Sequence, residues 1–254
     1  MLTTHYLPGT PCWIDATSPD LDASVAFYAG LFGWRSVSLG PEHRDYRLCQ
    51  IDGKTVAGIQ RARADNADPA WLTYFWTPDA DAIAKTIEQA GGAVTAPPLD
   101  IQGQGRMAVC ADPAGAAFAV WQPGANKGLG MVTDPGSLGW VELHVPGHAP
   151  VRAFYEAVFG WSITDMPMGD LPYPVIFPAE GGEMSAVGGI AELQPGDHPH
   201  WLPYFEVPDC DATVSTAQRL GGTVWAPETV DEVGRMAFLA DPHGARFAVI
   251  TSSA

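Results

Sequence analysis

Apolar and polar residues alternate along the chain with two different periods, and the changes of period predict where strands give way to helices. Residues 13–17 are typical of a short strand. Ser18-Pro19-Asp20 follows as a helix cap, with the proline expected at the first helical position. The predicted helix has apolar residues at i, i+4, i+7 and i+11 and ends at a glycine, as the positions Leu21, Val25, Tyr28, Phe32 and Gly33 indicate.

The pattern then predicts a β-hairpin, followed by a second set of strands and a helix in a similar order. Asp52-Gly53, which separates residues 46–51 from 55–60, is a strong signal for a tight hairpin turn. Further elements are predicted as a strand at 71–76, a helix at 78–90 that ends at Gly91-Gly92, and strands at 106–111 and 116–121. We predict from this pattern that the order strand, helix and three strands occurs twice in the first half of the chain.

Three blocks of the first half recur in the second half. Identical residues number six of nine, eight of twelve and twelve of sixteen when residues 26–34, 71–82 and 105–120 are compared with 153–161, 201–212 and 234–249. The chain is thus a tandem duplication. We predict an α+β protein of four βαβββ modules, with domains at 1–125 and 126–254 joined by the proline- and glycine-rich stretch 122–136.

The repeated motifs resemble the vicinal oxygen chelate superfamily, which includes glyoxalase I, the bleomycin resistance proteins and the extradiol dioxygenases. They are Phe-Tyr-x-x-x-Phe-Gly-Trp at a helix end, Pro-Asp-x-Asp-Ala at a helix start and Asp-Pro-x-Gly in the last hairpin. The nearest likeness is to duplicated two-domain bacterial members of glyoxalase-like or hydroxylase type. The resemblance implies cupped mixed sheets and a monomer that acts as a pseudo-dimer, while the possibility that strands exchange between copies stays open.

The resemblance also implies a metal held by a His on the first strand, a His on the fourth and a Glu on the last. Carried over position by position, these places fall on Trp13, Leu72 and Ala119 in the first copy, and on Trp140, Leu202 and Ala248 in the second. None of these side chains can coordinate a divalent ion. We therefore expect no metal cofactor at the family's usual site.

Composition narrows the range of partners. With 13 Lys and Arg against 29 Asp and Glu, the formal net charge is −16, so nucleic acid and anionic membranes would be repelled. No run approaches the roughly 18 to 20 apolar residues of a membrane span, and we expect a cytoplasmic protein. The cysteines form no Cys-x-x-Cys pair, which favours buried free thiols at Cys12, Cys49, Cys110 and Cys210.

Strand residues two apart share a face, so parity from the family's ligand positions predicts which residues point inward. The first copy offers mainly aromatic candidates: Asp15, Thr17, Tyr74, Trp76 and Trp121. The inward-facing candidates of the second copy include charged as well as aromatic side chains: Glu142, His144, Tyr204, Glu206, Phe238 and Arg246. Glu142 and His144 are the candidate catalytic pair and the others candidate ligand-binding residues, although a structural histidine and a charge-compensating ion pair are alternatives at these positions.

Three functions are open. The first is binding of a small, partly aromatic organic molecule in a cupped-sheet cavity without a metal, either to sequester it or to catalyse a metal-independent step. The second is a metal-dependent lyase or oxygenase that uses Fe, Ni or Zn at a relocated site around Glu142 and His144. The third is a non-catalytic scaffold with filled cavities. Whether the protein is an enzyme is left undecided by the sequence.

Three further features of the sequence carry expectations of their own. His198 and His200 are expected to be solvated loop residues. Arg106 and Arg235, which belong to a repeated Gly-Arg-Met, are expected to pair at the interface of the copies. The proline-rich stretch 166–174 is expected to be irregular, as a surface loop or a lid.

Overall fold

The computed structural model describes residues 1–62, 68–168, 171–182, 185–225 and 227–253. The first copy contains α1 (Leu21–Phe32), α2 (Ala80–Gln89) and strands β1 (Pro11–Ser18), β2 (Arg35–Ser38), β3 (Arg47–Ile51), β4 (Lys54–Arg61), β5 (Ala70–Trp76), β6 (Ala93–Ile101), β7 (Gly105–Ala111) and β8 (Ala117–Pro123). The second contains α3 (Ala149–Phe159), α4 (Cys210–Arg219) and strands β9 (Leu138–Val145), β10 (Ser162–Met168), β11 (Leu171–Phe177), β12 (Gly188–Glu192), β13 (His200–Glu206), β14 (Thr223–Val224), β15 (Glu228–Val230), β16 (Gly234–Ala240) and β17 (Arg246–Ser252).

These elements confirm the α+β class and the repeated plan. The first sheet has the order β2-β3-β4-β1-β5-β8-β7-β6, and the second has the order β10-β11-β12-β9-β13-β17-β16-β14, with β15 on β16. Both sheets are mixed. In the first, β4 runs parallel to β1 and antiparallel to β3. In the second, β12 runs parallel to β9 and antiparallel to β11. Every strand of a sheet comes from one copy, so the strands are not exchanged.

Local signals set the element ends. Asp20 is itself the N-cap of α1 and accepts from the Ala23 N–H at 3.1 Å. The helix therefore begins at Leu21, two residues later than predicted, and Pro19 precedes the cap. Gly33 ends the helix at φ 73° in the left-handed region, as predicted. Asp52 and Gly53 both have positive φ, which is the conformation of a type I′ hairpin turn.

The expectation of an irregular segment at 166–174 was wrong. Residues 162–168 and 171–177 form an antiparallel pair in which Met166 faces Tyr173; positions 169 and 170 lie outside the described residues. Proline is tolerated here because β10 lies at the edge of the sheet and β12 pairs only with Val175 and Ile176, beyond Pro172 and Pro174.

The expectation that the two repeated arginines pair at the interface of the copies was wrong, because each pairs within its own copy. Arg106 Nε and Nη2 bind the Asp81 carboxylate at 2.7 and 3.0 Å. Arg235 binds Asp211 in the same bidentate way at 2.8 Å. The two aspartates lie in the first turns of α2 and α4, where negative charge is also favoured by the helix dipole.

The described chain divides into two compact units, and each takes residues from both copies. The first unit comprises Met1–Trp13, Thr73–Gly128 and Trp140–Trp201, and the second comprises Ile14–Leu72, Leu129–Gly139 and Leu202–Ala254. The boundary at 125/126 stays a prediction. None of the described helices has the length and apolar content of a bilayer-spanning segment.

A buried hydrogen-bond chain organises the core of the first unit. The Trp201 indole N–H donates to the Tyr155 hydroxyl at 3.0 Å, and that hydroxyl donates to Asp112 at 3.2 Å. The other Asp112 oxygen accepts from the N–H groups of Ala114 and Ala116 in the Asp-Pro turn. Burial first, and the nearby carboxylate second, raise the pKa of Tyr155 well above its usual value.

The second unit repeats this chain with other residues. Trp71 donates to Tyr28 at 3.1 Å, and Tyr28 donates to Asp241 at 3.3 Å. Both central tyrosines are completely buried. The repeated Trp, Tyr and Asp of the sequence motifs are therefore core residues with a structural function.

Removing either central hydroxyl should destabilise the fold. We expect Tyr28→Phe and Tyr155→Phe each to cost about 1–3 kcal/mol, because a buried indole N–H loses its acceptor and a buried carboxylate oxygen loses its tyrosine donor. The melting temperature, followed by circular dichroism, should fall by about 2–4 °C per kcal/mol. Arg106→Gln, which removes the exposed ion pairs with Asp81 and Asp100, is the control and should lower the melting temperature less than either tyrosine variant. Parent-like melting of both tyrosine variants would contradict this account.

The four cysteines are buried and free, as predicted. Burial raises the pKa of Cys49 and Cys110 to about 12 and that of Cys210 to about 11, and it raises the pKa of Cys12 further. Since the thiolate is the reactive form, a disulfide reagent at neutral pH should modify no thiol in the folded protein and all four after denaturation. Stoichiometric labelling of the folded chain would show that a thiol is accessible.

Candidate functional site

The positions to which the resemblance assigns metal ligands hold no donors in either copy. Ala248 is completely buried on the central strand β17, between Tyr204 on β13 and Phe238 on β16. The two rings meet edge to face with centroids 6.1 Å apart. Across the described ranges, no three His, Cys, Asp or Glu side chains are grouped so that they could hold a metal. The donor set therefore does not fit the family's divalent ion.

Each copy instead holds a buried carboxylate bound to a tyrosine. In the first copy, whose residues here belong to the second unit, the Tyr46 hydroxyl donates to Asp15 Oδ2 at 2.9 Å. In the second copy, whose residues here belong to the first unit, the Tyr173 hydroxyl donates to Glu142 Oε1 at 2.5 Å. Asp15 and Glu142 are 2% and 6% exposed, so both carboxylates depend on the protein for their hydrogen bonds.

A glycine lets each tyrosine reach its carboxylate. Gly58 on β4 pairs with Asp15 on β1, and Gly189 on β12 pairs with Glu142 on β9. Tyr173 crosses over Gly189 from the neighbouring strand β11, and Tyr46 crosses over Gly58 from the residue just before β3. A Cβ at either glycine would clash with the phenolic oxygen. Only glycine leaves the required space.

The second carboxylate oxygen distinguishes the two copies. In the first copy it accepts from the Gln60 side-chain amide at 3.2 Å, and Gln60 pairs across the strands with Thr17. In the second copy it lies 2.7 Å from His144 Nε2, and the residue paired with His144 is Ala191. A neutral amide has thus been replaced by a titratable imidazole on the same rung of the sheet.

A second histidine packs on the first. The rings of His144 and His200 are stacked with centroids 4.8 Å apart and an angle of 10° between their planes. His200 is the first residue of β13 and is half-buried, and its Nδ1 lies 2.8 Å from the His198 carbonyl oxygen. The expectation of a solvated loop was wrong for His200, whereas the His198 side chain is 80% exposed.

Trp140 completes the group, because its indole N–H donates to the Tyr173 hydroxyl at 3.2 Å. Burial first, and then the charge and hydrogen bond of Glu142, raise the pKa of Tyr173 well above its usual value. The phenol therefore keeps its proton and remains a donor to the carboxylate. We call Trp140, Glu142, His144, Tyr173 and His200 the Glu–His site.

The aromatic candidates of the first copy are largely occupied by packing. Tyr74 on β5 pairs with Ala119, and Trp76 pairs with Trp121 on β8. Trp121 is 6% exposed and donates to the carbonyl of Asn126 at 3.1 Å, while Trp76 is half-buried. Ligand binding by these residues, and by Asp15 and Thr17, stays a prediction.

The charged candidates of the second copy differ in their surroundings. Both oxygens of Glu206 accept from Ser252, at 2.9 Å from the backbone N–H and at 2.8 Å from the hydroxyl. Arg246 is exposed, with its guanidinium carbon 5.9 Å from the centroid of the Trp225 ring. The Glu206 carboxylate therefore already binds the last residue of β17.

A cavity of about 360 Å³ lies elsewhere in the first unit. Residues near the N-terminus, Leu2 and Thr10 among them, line one side, and Pro178, Gly181 and Val187 line the other. It contains none of the predicted site residues, and we attach no function to it.

The two-residue period of a strand predicted that Glu142 and His144 share a face of β9. It did not identify Tyr46, Tyr173 and Gln60, which contact the two carboxylates from other parts of the chain. A signal was available in the repeat, since Val56-Ala57-Gly58-Ile59 matches Val187-Gly188-Gly189-Ile190. Tyr46 and Tyr173 are also separated by the 127 residues that relate the first blocks.

Family models match both halves of the chain. The Glyoxalase/Bleomycin resistance protein/Dioxygenase superfamily matches residues 12–120, and a glyoxalase-like domain matches residues 140–250. The anthracycline biosynthesis protein DnrV of Streptomyces peucetius is 42% identical over 266 residues, which cover 97% of this chain and 94% of the relative.

Solved structures share the fold at low identity. The 2,3-dioxygenase LapB from Pseudomonas sp. KL28 has a TM-score of 0.67 at 15% identity and covers 97% of this chain and 94% of its own. The Mn(II)-bound glyoxalase from Novosphingobium aromaticivorans has a TM-score of 0.66 at 18% identity, with coverage of 96% and 83%. Because the family models match both halves and DnrV is 42% identical over nearly the whole length, the chain belongs to the glyoxalase/bleomycin resistance protein/dioxygenase superfamily.

Proposed function

We propose that the protein binds a small, hydroxylated, planar aromatic molecule at the Glu–His site and accepts a proton from its hydroxyl group, without a resident divalent metal. The observation that carries this proposal is the approach of His144 Nε2 to Glu142 at 2.7 Å, where the first copy has a neutral amide. Beside this carboxylate oxygen the second copy has an imidazole, and the first copy has a side-chain amide.

The arrangement supports proton acceptance at His144. The Glu142 carboxylate oxygen 2.7 Å from His144 Nε2 favours the tautomer that carries its proton on Nε2, which places the lone pair of the imidazole on Nδ1. A ligand hydroxyl that binds there can transfer its proton to Nδ1. The imidazolium that results is stabilised by Glu142, which keeps its position through Tyr173.

Burial makes a purely structural role costly. The Glu142 and His144 side chains are 8% and 10% exposed. Keeping an ionisable pair so far from water costs several kcal/mol unless it is fully compensated. Gln60 shows that this fold can satisfy the same carboxylate oxygen with an uncharged group.

The relatives suggest the class of ligand. DnrV and DauV are named as anthracycline biosynthesis proteins, and they are 42% and 41% identical to this chain. Anthracyclines are polycyclic aromatics that carry phenolic hydroxyl groups. A hydroxylated anthraquinone is thus a reasonable probe, since it presents both a flat ring system and an acidic hydroxyl.

The first test compares binding of a hydroxyanthraquinone with binding of its O-methyl ether by isothermal titration calorimetry. The parent protein should prefer the hydroxyl form, because only that form has a proton to give. Glu142→Gln and His144→Ala should weaken its binding by at least about tenfold, or about 1.4 kcal/mol, and should remove the preference over the ether. Thermal stability should change far less.

Repeating the titrations with a chelator and with added Fe²⁺, Ni²⁺ or Zn²⁺ separates the alternatives. Binding that requires a metal would favour the metal-dependent lyase or oxygenase. No binding under any condition would favour the scaffold. Full binding by both variants, with only earlier melting, would make the pair structural and end this proposal.

A second test uses the glycine that the phenol crosses. Gly189→Ala should displace Tyr173 from Glu142 and so weaken hydroxyanthraquinone binding as well as stability, because its Cβ would clash with the phenolic oxygen. The matched variant Gly58→Ala should displace Tyr46 from Asp15 and lower the melting temperature only. Equal loss of binding in both variants would show that the effect is general destabilisation or that both copies bind.

A further inference from the structure

Tyr173, which binds the carboxylate of the Glu–His site, lies in the outer part of its strand. Of the described residues of β11, those that pair with β12 are Val175 and Ile176, whereas Tyr173 is paired with Met166 of β10. β10 is in turn the last strand of its sheet. The position of the phenol on Glu142 therefore depends on what holds β10 in place.

Arg152 connects β10 to helix α3 of the same unit. Its Nη1 donates to the backbone carbonyl of Ile163 at 3.2 Å, and its Nη2 donates to Asp165 Oδ1. A guanidinium can bind two acceptors at once because its N–H donors form a rigid planar fork. Asp165 is paired with Pro174, the residue next to Tyr173. The guanidinium is thus attached to the hairpin one pair of residues away from the phenol.

α3 is a firm anchor for this contact. Phe154 and Tyr155, which follow Arg152 on the helix, are buried. The Tyr155 hydroxyl belongs to the core chain that joins Trp201 to Asp112. A helix held by the core is more stable locally than a strand at the edge of a sheet. The Arg152 side chain is also only 25% exposed, so the ion pair is partly shielded from water.

The first copy has no residues for this contact. At the repeat spacing of 127 residues, Val25 and Ser38 stand in place of Arg152 and Asp165. Tyr46 is held there within a tight turn, in which its backbone N–H donates to the carbonyl three residues earlier at 3.1 Å. The contact therefore belongs to the copy whose carboxylate lies beside an imidazole.

We propose that Arg152 is a positioning residue of the Glu–His site, which holds β10 and through β10 keeps the Tyr173 phenol on Glu142. If the phenol leaves, Glu142 loses the 2.5 Å hydrogen bond that fixes its carboxylate beside His144. The inference deepens the proposed function, on which its consequence for ligand binding rests.

The test follows the ionisation of Tyr173 by fluorine NMR in protein labelled with 3-fluorotyrosine, whose phenol is more acidic than that of tyrosine. The spectrum of Tyr173→Phe identifies the resonance. A phenol bonded to a carboxylate has to leave it before ionising, so more frequent release lowers the apparent pKa. We expect Arg152→Gln to lower the apparent pKa of this residue by about half a pH unit or more, which corresponds to about threefold more release.

Graded variants and a matched control separate this role from general destabilisation. Asp165→Asn should lower the apparent pKa less, because Arg152 keeps the backbone carbonyl, and Arg152→Lys should restore part of the parent value. Asp22→Asn breaks an exposed ion pair with Arg47 in the first copy and should leave the ionisation of Tyr173 unchanged. A parent-like titration in Arg152→Gln would overturn the inference, and so would an equal change in Asp22→Asn.

A second readout is hydroxyanthraquinone binding, measured after circular dichroism has shown that each variant is folded. Arg152→Gln should weaken binding about twofold or more, because a smaller fraction of the protein holds the competent arrangement. Parent-like binding together with a lowered apparent pKa of Tyr173 would overturn the positioning role. If the parent does not bind the compound at all, the proposed function fails, and the NMR titration still decides whether Arg152 holds the phenol.

Discussion

A fully buried tyrosine hydroxyl has to donate one hydrogen bond and accept another, and in each unit that requirement joins distant parts of the chain. Tyr155 accepts from Trp201 and donates to Asp112, a residue of the other copy. Leaving any of these groups without a partner inside the protein would cost more than the bond contributes. The core of a unit is complete only with residues from both copies, so a cut at residue 125 would separate Asp112 from its donor.

The elements could be predicted from sequence because their signals are local. The period of apolar residues, the Gly33 stop and the Asp52-Gly53 turn each act over a few residues. The cap predicted at Ser18-Pro19-Asp20 lies within two residues of the observed helix start at Leu21. The strands at the edge of a sheet could not be predicted in this way. The prolines of 166–174 are tolerated in strands only because backbone groups are left unpaired there. That property depends on strand order, which no local pattern contains.

The candidate site was predictable along a strand but not across strands. Glu142 and His144 are two residues apart, and the period of a strand places them on one face. Tyr173 reaches the same carboxylate only because the register sets Gly189 beside Glu142. The difference between the copies is also a cross-strand property, since Gln60 acts from the strand next to Asp15.

The crossing of Tyr173 over β12 links the carboxylate to the edge of its sheet. Tyr173 lies on β11, which β12 holds through Val175 and Ile176, and only β10 lies beyond. An opening of this edge would withdraw the phenol and leave Glu142 with its negative charge less compensated. By thermodynamic linkage, a ligand that requires the closed arrangement must slow amide hydrogen exchange in β10 and β11, far along the chain from Glu142 itself.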